Sequence, residues 1–304
     1  MHWQARLSRS PVSLALPCGV IAVSFAAIFI RLADAPPLVI ASYRLLIGAG
    51  VMTAAAAGDR LRSRKRSSLT AKDIPLLSIS CLCLALHFGF WTASLDYTSV
   101  TSSVVLVTAN PILVAIASRL LLQEQLKQRA LTGIATGIIG GLIVGVGDAG
   151  REGELMGDLL AFLGAVATVG YLLAGRRLRT HVPVLQYTSV VYSGTAVLLV
   201  AATLVTGDSF RGYTHETYMA ILLLALIPQV IGHSIFNWSL GHVTGTVVAV
   251  ATMAEPVLTS LLAIPILGEL PNGSSVLGGA CILAGIYLAL RPDSSSVDAT
   301  LPLS

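Results

Sequence analysis

Charge is what this 304-residue chain has least of: Asp, Glu, Lys and Arg together make up 11%, against roughly a quarter in ordinary soluble domains. So few charges cannot cover a water-facing surface, which excludes an ordinary soluble domain. Cysteine is equally sparse. Cys18, Cys81, Cys83 and Cys281 all lie in apolar runs, and Cys81 and Cys83 point to different faces of one helix, so neither a disulfide framework nor a zinc centre is predicted. The glycine-rich run GIIGGLIVGVG (137–147) is embedded in an apolar stretch with no Lys-Ser or Lys-Thr after it, which excludes a phosphate-cradling loop. No HExxH or comparable ligand cluster accompanies the histidines, so no metal, no cofactor and no enzymatic chemistry are expected.

What the chain has is hydrophobic surface, at 55% of residues, gathered in runs long enough to cross a bilayer. A spanning helix needs about 20 apolar residues. Ten such runs are predicted, near 13–32, 37–57, 74–95, 99–122, 129–147, 157–175, 183–206, 217–240, 243–267 and 273–290. The fold class is therefore an all-α polytopic membrane protein. Lysine and arginine concentrate in alternate loops: Arg60, Arg62, Arg64, Lys65 and Arg66 mark one side, together with Arg176, Arg177 and Arg179, while Arg31, Arg151 and Arg211 are alone on the other. By the positive-inside rule both tails, 1–12 and 291–304, are cytoplasmic. The net charge of +4 thus reflects sidedness and not a nucleic-acid partner. Arg6 and Arg9 before an apolar run look like the start of a signal peptide, but no small-residue cleavage site follows, and the repeat described next favours a retained first helix.

Shifting the second half by 145 residues superposes it on the first: Gly19 meets Gly164, Arg31 Arg176, Pro111 Pro256, Glu124 Glu269, Gly133 Gly278 and Gly140 Gly285. Apolar helices match leucines by chance, but rarely prolines, glutamates and glycines in one frame. Two five-helix repeats are predicted, 13–147 and 157–290. Five being odd, the second copy is inverted, the architecture of alternating-access carriers with a midplane site.

The stretch VTGTVVAVATMAEPVLTSLLAIPILGE (243–269) places Glu255 and Pro256 at the middle of an apolar span. An ionised group there costs about 3 kcal/mol even on a lenient scale, so Glu255 must face protein or water. Pro256, and Pro111 in the other copy, predict helix kinks that free backbone groups beside a cavity. Asn110 is the neutral counterpart of Glu255, and a group able to titrate in only one half suits proton coupling. Arg44, at a similar depth in the second helix, is a candidate charge partner for Glu255. His87 and Trp91 are four residues apart, as are Gln229, His233 and Asn237, so each set forms a polar stripe facing the bundle interior. His87, Trp91, Asn110, His233 and Asn237 are therefore the candidate substrate-binding residues, with Glu255 and Arg44 for coupling. Interhelical hydrogen bonding is the structural alternative for all of them. Gly133, Gly137, Gly141 and Gly145 form a small-residue stripe suited to close helix packing, within one chain or in a homodimer.

The segments ANPILVAIASRLLLQEQL (109–126) and AEPVLTSLLAIPILGELP (254–271), with SYRLLIGAG (42–50), resemble the EamA family of the drug/metabolite transporter superfamily over nearly the whole chain. The first copy departs from the commoner LGE ending, having Leu122-Gln123-Glu124. The resemblance implies two inverted repeats around a cavity formed mainly by helices other than the fifth and tenth. It also implies secondary transport of small metabolites, often export of amino acids or related compounds, across the bacterial plasma membrane. A non-transporting scaffold is the alternative, ahead of an intramembrane enzyme. Glu124 and Glu269 close equivalent helices, where a carboxylate is unfavourable unless it meets a helix amino end or a basic side chain.

Overall fold

The computed structural model describes residues 11–63, 69–113, 116–117, 128–148, 153–243, 248, 251–252 and 254–290. Glu124, the centre of the basic loop (64–68) and tail residues 1–10 and 291–304 lie outside them. Among the described residues all the regular structure is helical. The first five helices are α1 (Pro11–Ser24, continuing as Ala26–Leu32), α2 (Pro37–Ser63), α3 (Ile74–Ser94), α4 (Val100–Val107) and α5 (Gln128–Asp148). The second five are α6 (Glu154–Leu178), α7 (Val184–Thr206), α8 (the span His215–Ser239), α9 (Glu255–Leu267) and α10 (Gly273–Leu290). Six of these spans are long and apolar enough to cross a membrane, and the described parts of α4, α5, α9 and α10 are shorter apolar helices.

The inverted repeat is visible in how glycines let backbones touch. A Cβ on Gly140 of α5 would lie 2.6 Å from the Gly278 carbonyl of α10, and one on Gly285 would lie 2.5 Å from the Gly133 carbonyl. Gly140 and Gly285 are repeat equivalents, and so are Gly133 and Gly278. One contact is therefore the two-fold image of the other, and the two helices run antiparallel. The same symmetry relates Gly164 of α6 against Trp91 of α3, where an added Cβ would come within 3.4 Å, to Gly19 of α1 against Phe236 of α8, within 3.0 Å. Close approach of this kind replaces the hydrophobic drive that lipid cannot supply. The stripe differs from the expected one: Gly140 and not Gly141 meets α10, because the antiparallel crossing uses the adjacent edge of α5. That edge is packed against the chain's own α10.

Two further departures from regular helix position the site. Residues Ala225–His233 of α8 form a π-helix containing Pro228, which has no N–H to offer the ordinary ladder. The wider turn removes Gln229 from the face that His233 and Asn237 share. At the other break, Glu255 and Pro256 open α9, preceded by a turn at Ala254. Pro256 therefore does not kink a continuous helix. It stands in the first turn of a half-helix, where a missing N–H costs nothing. The Pro111 region repeats the arrangement, with a turn at Thr108 and Ala109 before helix resumes at Asn110.

Candidate functional site

A cavity opens at the crossing of α1, α3, α4, α6, α8 and the ninth segment, enclosing about 830 Å³ when its open side is counted. His87, Trp91, Asn110, His233, Asn237 and Glu255 all line it, and with them Val23, Thr168, Tyr171, Phe236 and Thr252. Among the described residues, none of α2, α5, α7 or α10 contributes to the wall. Part of the lining obeys the repeat: Trp91 is the counterpart of Phe236, Val23 of Thr168, Val107 of Thr252, and Asn110 of Glu255, whereas the counterparts of His87, His233 and Asn237 lie off the wall. The cavity thus lies on the pseudo-two-fold axis.

Four residues of the wall, His87, Thr168, Tyr171 and Asn237, are held by interhelical hydrogen bonds. His87 Nδ1 lies 2.7 Å from Thr168 Oγ1 and 3.1 Å from the Gly164 carbonyl, tying α3 to α6, while the His87 and Trp91 rings stack with centroids 5.9 Å apart. Tyr171 donates to Asn237 Oδ1 at 2.8 Å, and Asn237 Nδ2 donates to Tyr192 at 3.3 Å, joining α6, α8 and α7. His233 packs edge-on against Phe88 and Phe236. Thr168, Tyr171 and Phe236 were not among the residues singled out from sequence. The 145-residue offset would have pointed from Trp91 to Phe236, whereas Thr168 and Tyr171 carry no local signal of their own.

Arg44 is placed differently from its expected role. It is fully buried on α2, outside the cavity wall, with Nε donating to Gln229 Oε1 at 2.8 Å and its guanidinium 3.9 Å above the Phe88 ring. It makes no salt bridge with Glu255, because α2 packs against α7 and the π-helical turn of α8 and not against α9. Nη1 and Nη2 have no hydrogen-bond partner among the described residues. Arg44 and Glu255 act on each other only through space. A cation over a desolvated aromatic face gains about 2 kcal/mol, which offsets part of its burial.

At the end of the bundle that carries Arg31, Glu269 joins both halves. Its Oε1 accepts from the Val100 N–H, the first of α4, at 2.5 Å, and its Oε2 is 3.5 Å from Arg31 Nη2, which donates to the Thr98 carbonyl at 3.2 Å. The carboxylate thus meets a helix amino end and a basic side chain together. Glu269→Ala is expected to cost about 1–2 kcal/mol, the range for removing a helix cap. Thermal unfolding in detergent measures it, and an unchanged midpoint would show the contact to be incidental.

Comparison with known proteins bears on this geometry. A model of the EamA-like transporter family matches residues 11–146 and again 155–291. The chain is 24% identical over 285 residues to an uncharacterized transporter of Archaeoglobus fulgidus, covering 92% of this chain and 97% of that one. It is 24% identical to the uncharacterized transporter YdfC of Bacillus subtilis, covering 90% and 89%. A probable amino-acid metabolite efflux pump of Salmonella typhimurium is 25% identical over 182 residues, 54% of this chain and 58% of that one. A crystal structure 20% identical in sequence shares the fold with a TM-score of 0.67, covering 92% of this chain and 96% of the other.

Proposed function

The chain belongs to the EamA-like transporter family, and from that premise we propose a secondary carrier that moves a small organic metabolite by alternating access. The repeats 13–147 and 157–290 would rock about the cavity, with His87, Trp91, Asn110, His233 and Asn237 contacting substrate. The observation that carries this reading is the cavity's place on the pseudo-two-fold axis, lined by equivalent residues of both halves. A site shared symmetrically can be exposed first to one side and then to the other by the same motion run in opposite senses.

Among the described residues Glu255 is the one carboxylate on the wall, and its counterpart Asn110 cannot ionise. A proton exchanged at Glu255 would couple transport to a gradient, with Arg44 balancing the charge at a distance. The arginine-rich loops support a placement of both tails on the cytoplasmic side of a bacterial plasma membrane. Export of an amino acid or related compound fits the efflux-pump relative. Uptake of a pooled metabolite mixture into proteoliposomes, with and without an imposed pH gradient, tests the proposal. Selective accumulation above protein-free vesicles supports it, and accumulation of nothing from a pool covering amino acids, amines and organic acids counts against it.

A further inference from the structure

The cavity follows the repeat at its centre and departs from it toward its ends. Leu172, Leu240 and Val248 line it toward the end of the bundle away from Arg31. Their repeat counterparts toward the Arg31 end, Ala27, Leu95 and Ser103, are buried and off the wall. The Arg31 end is therefore the closed one in this conformation, and the seam that closes it is polar. Ser103 Oγ lies 2.7 Å from Ser94 Oγ, and Thr101 Oγ1 of α4 lies 3.1 Å from Ser260 Oγ of α9. The Glu269 carboxylate accepts from the Val100 N–H, and Arg31 donates to the Thr98 carbonyl. One side of this seam is anchored: Thr98 Oγ1 donates to Asp158 Oδ1 at 3.0 Å, which ties the corner between α3 and α4 to α6.

The other side of the seam is jointed. α1 breaks at Phe25, between Ser24 and Ala26, whereas its counterpart α6 runs unbroken through Gly170. α9 starts afresh after the turn at Ala254. Both joints stand beside the cavity, where Val23, Ala26 and Glu255 belong to the wall. From there the two half-helices run to the Arg31 end, fastened to each other twice. Thr259 Oγ1 donates to the Ser24 carbonyl at 3.0 Å near the joints, and Glu269 meets Arg31 at 3.5 Å at the far end. We propose that Ala26–Leu32 of α1 and α9 form one gate leaf, jointed at Phe25 and Ala254, which Glu269 and Arg31 latch against the start of α4. The latch must break before the cavity can open toward the Arg31 end. This rests on the carrier reading and adds to it the part that moves. A charge-assisted hydrogen bond made in one conformation only shifts the population toward that conformation. Glu269 and Arg31 thus hold the leaf together and also hold it shut.

The test reads which end of the cavity is open. Leu172→Cys on the wall, with Cys18, Cys81, Cys83 and Cys281 replaced by serine, is labelled by a membrane-impermeant thiol reagent from each side of sealed vesicles. His215→Cys, exposed at the Arg31 end, identifies the vesicles that present that end. Glu269→Gln and Arg31→Gln are each expected to raise labelling from the Arg31 side, relative to the other side, by about tenfold, the order for losing one hydrogen bond to a charged group. Oxidising the pair Thr101→Cys with Ser260→Cys should do the reverse: labelling of position 172 from the Arg31 side stops, labelling from the other side continues, and reductant restores both. A fall in the unfolding midpoint of the glutamine variants with an unchanged ratio of the two rates would overturn the inference and leave Glu269 a helix cap. Labelling from the Arg31 side through the cross-linked pair would overturn it as well. If the parent is labelled from both sides and only these shifts are missing, the gate falls and the carrier stands. If position 172 is never reached from the Arg31 side in any variant, both fall.

Discussion

Replacing Gly285 by valine is expected to destabilise the protein by about 3 kcal/mol or more, at the top of the range for overpacking a filled site. The atoms in the way are the reason. A Cβ at Gly285 would lie 2.5 Å from the Gly133 carbonyl and 2.6 Å from the Gly137 amide, and backbone cannot rotate aside as a side chain can. Separating α5 from α10 would in turn remove the packing that Ile282 and Ile286 make with Ile112 and Ile134 in one buried cluster. Gly141→Ala is the control: its Cβ would meet only Leu106, at 3.9 Å, an ordinary contact. Thermal unfolding of both variants in detergent, with the yield of monodisperse protein, reads the difference. Equal stability would mean that α5 and α10 do not cross at these glycines.

The second large effect concerns transport. Glu255→Gln keeps the size and most of the hydrogen bonding of the side chain but removes its ability to ionise, so accumulation driven by a pH gradient should fall to the level seen without one. The protein should remain folded, because Glu255 makes no salt bridge among the described residues that the change would break. The repeat supplies a sharper version. Asn110 occupies the equivalent position in the other half, so the double exchange Asn110→Glu with Glu255→Asn should restore part of the response that the single change removes. Gradient-driven accumulation that is intact in Glu255→Gln would assign the carboxylate a structural role.

How far the sequence could be read depends on which physical rule governs each feature. Ten spans and an inverted repeat were legible because lipid permits only long apolar helices, and because matched prolines and glycines survive where leucines carry no information. The pairing of Glu269 with a helix amino end was legible from its place at a helix carboxyl end, where an unpaired carboxylate is disfavoured. Gln229 faces the bundle interior as the spacing implied but lies off the cavity wall, because counting in fours assumes 3.6 residues per turn and a π-helical segment has no signature beyond Pro228. Arg44 was expected against Glu255 from depth alone; depth along the membrane normal says nothing about which helices are neighbours, and α2 lies against α7. Tyr171 and Thr168 resemble many other tyrosines and threonines in the chain, and only the packing of α6 on α3 and α8 brings them to the cavity wall.

The central claim is that one cavity is presented to each side of the membrane in turn. Cysteine accessibility addresses it most directly, with Leu172→Cys on the cavity wall in a background where Cys18, Cys81, Cys83 and Cys281 are replaced by serine. Right-side-out and inverted vesicles are treated with a membrane-impermeant thiol reagent. The account predicts labelling from both sides, each slowed by bound substrate. Labelling from one side only, however long the exposure, would contradict it.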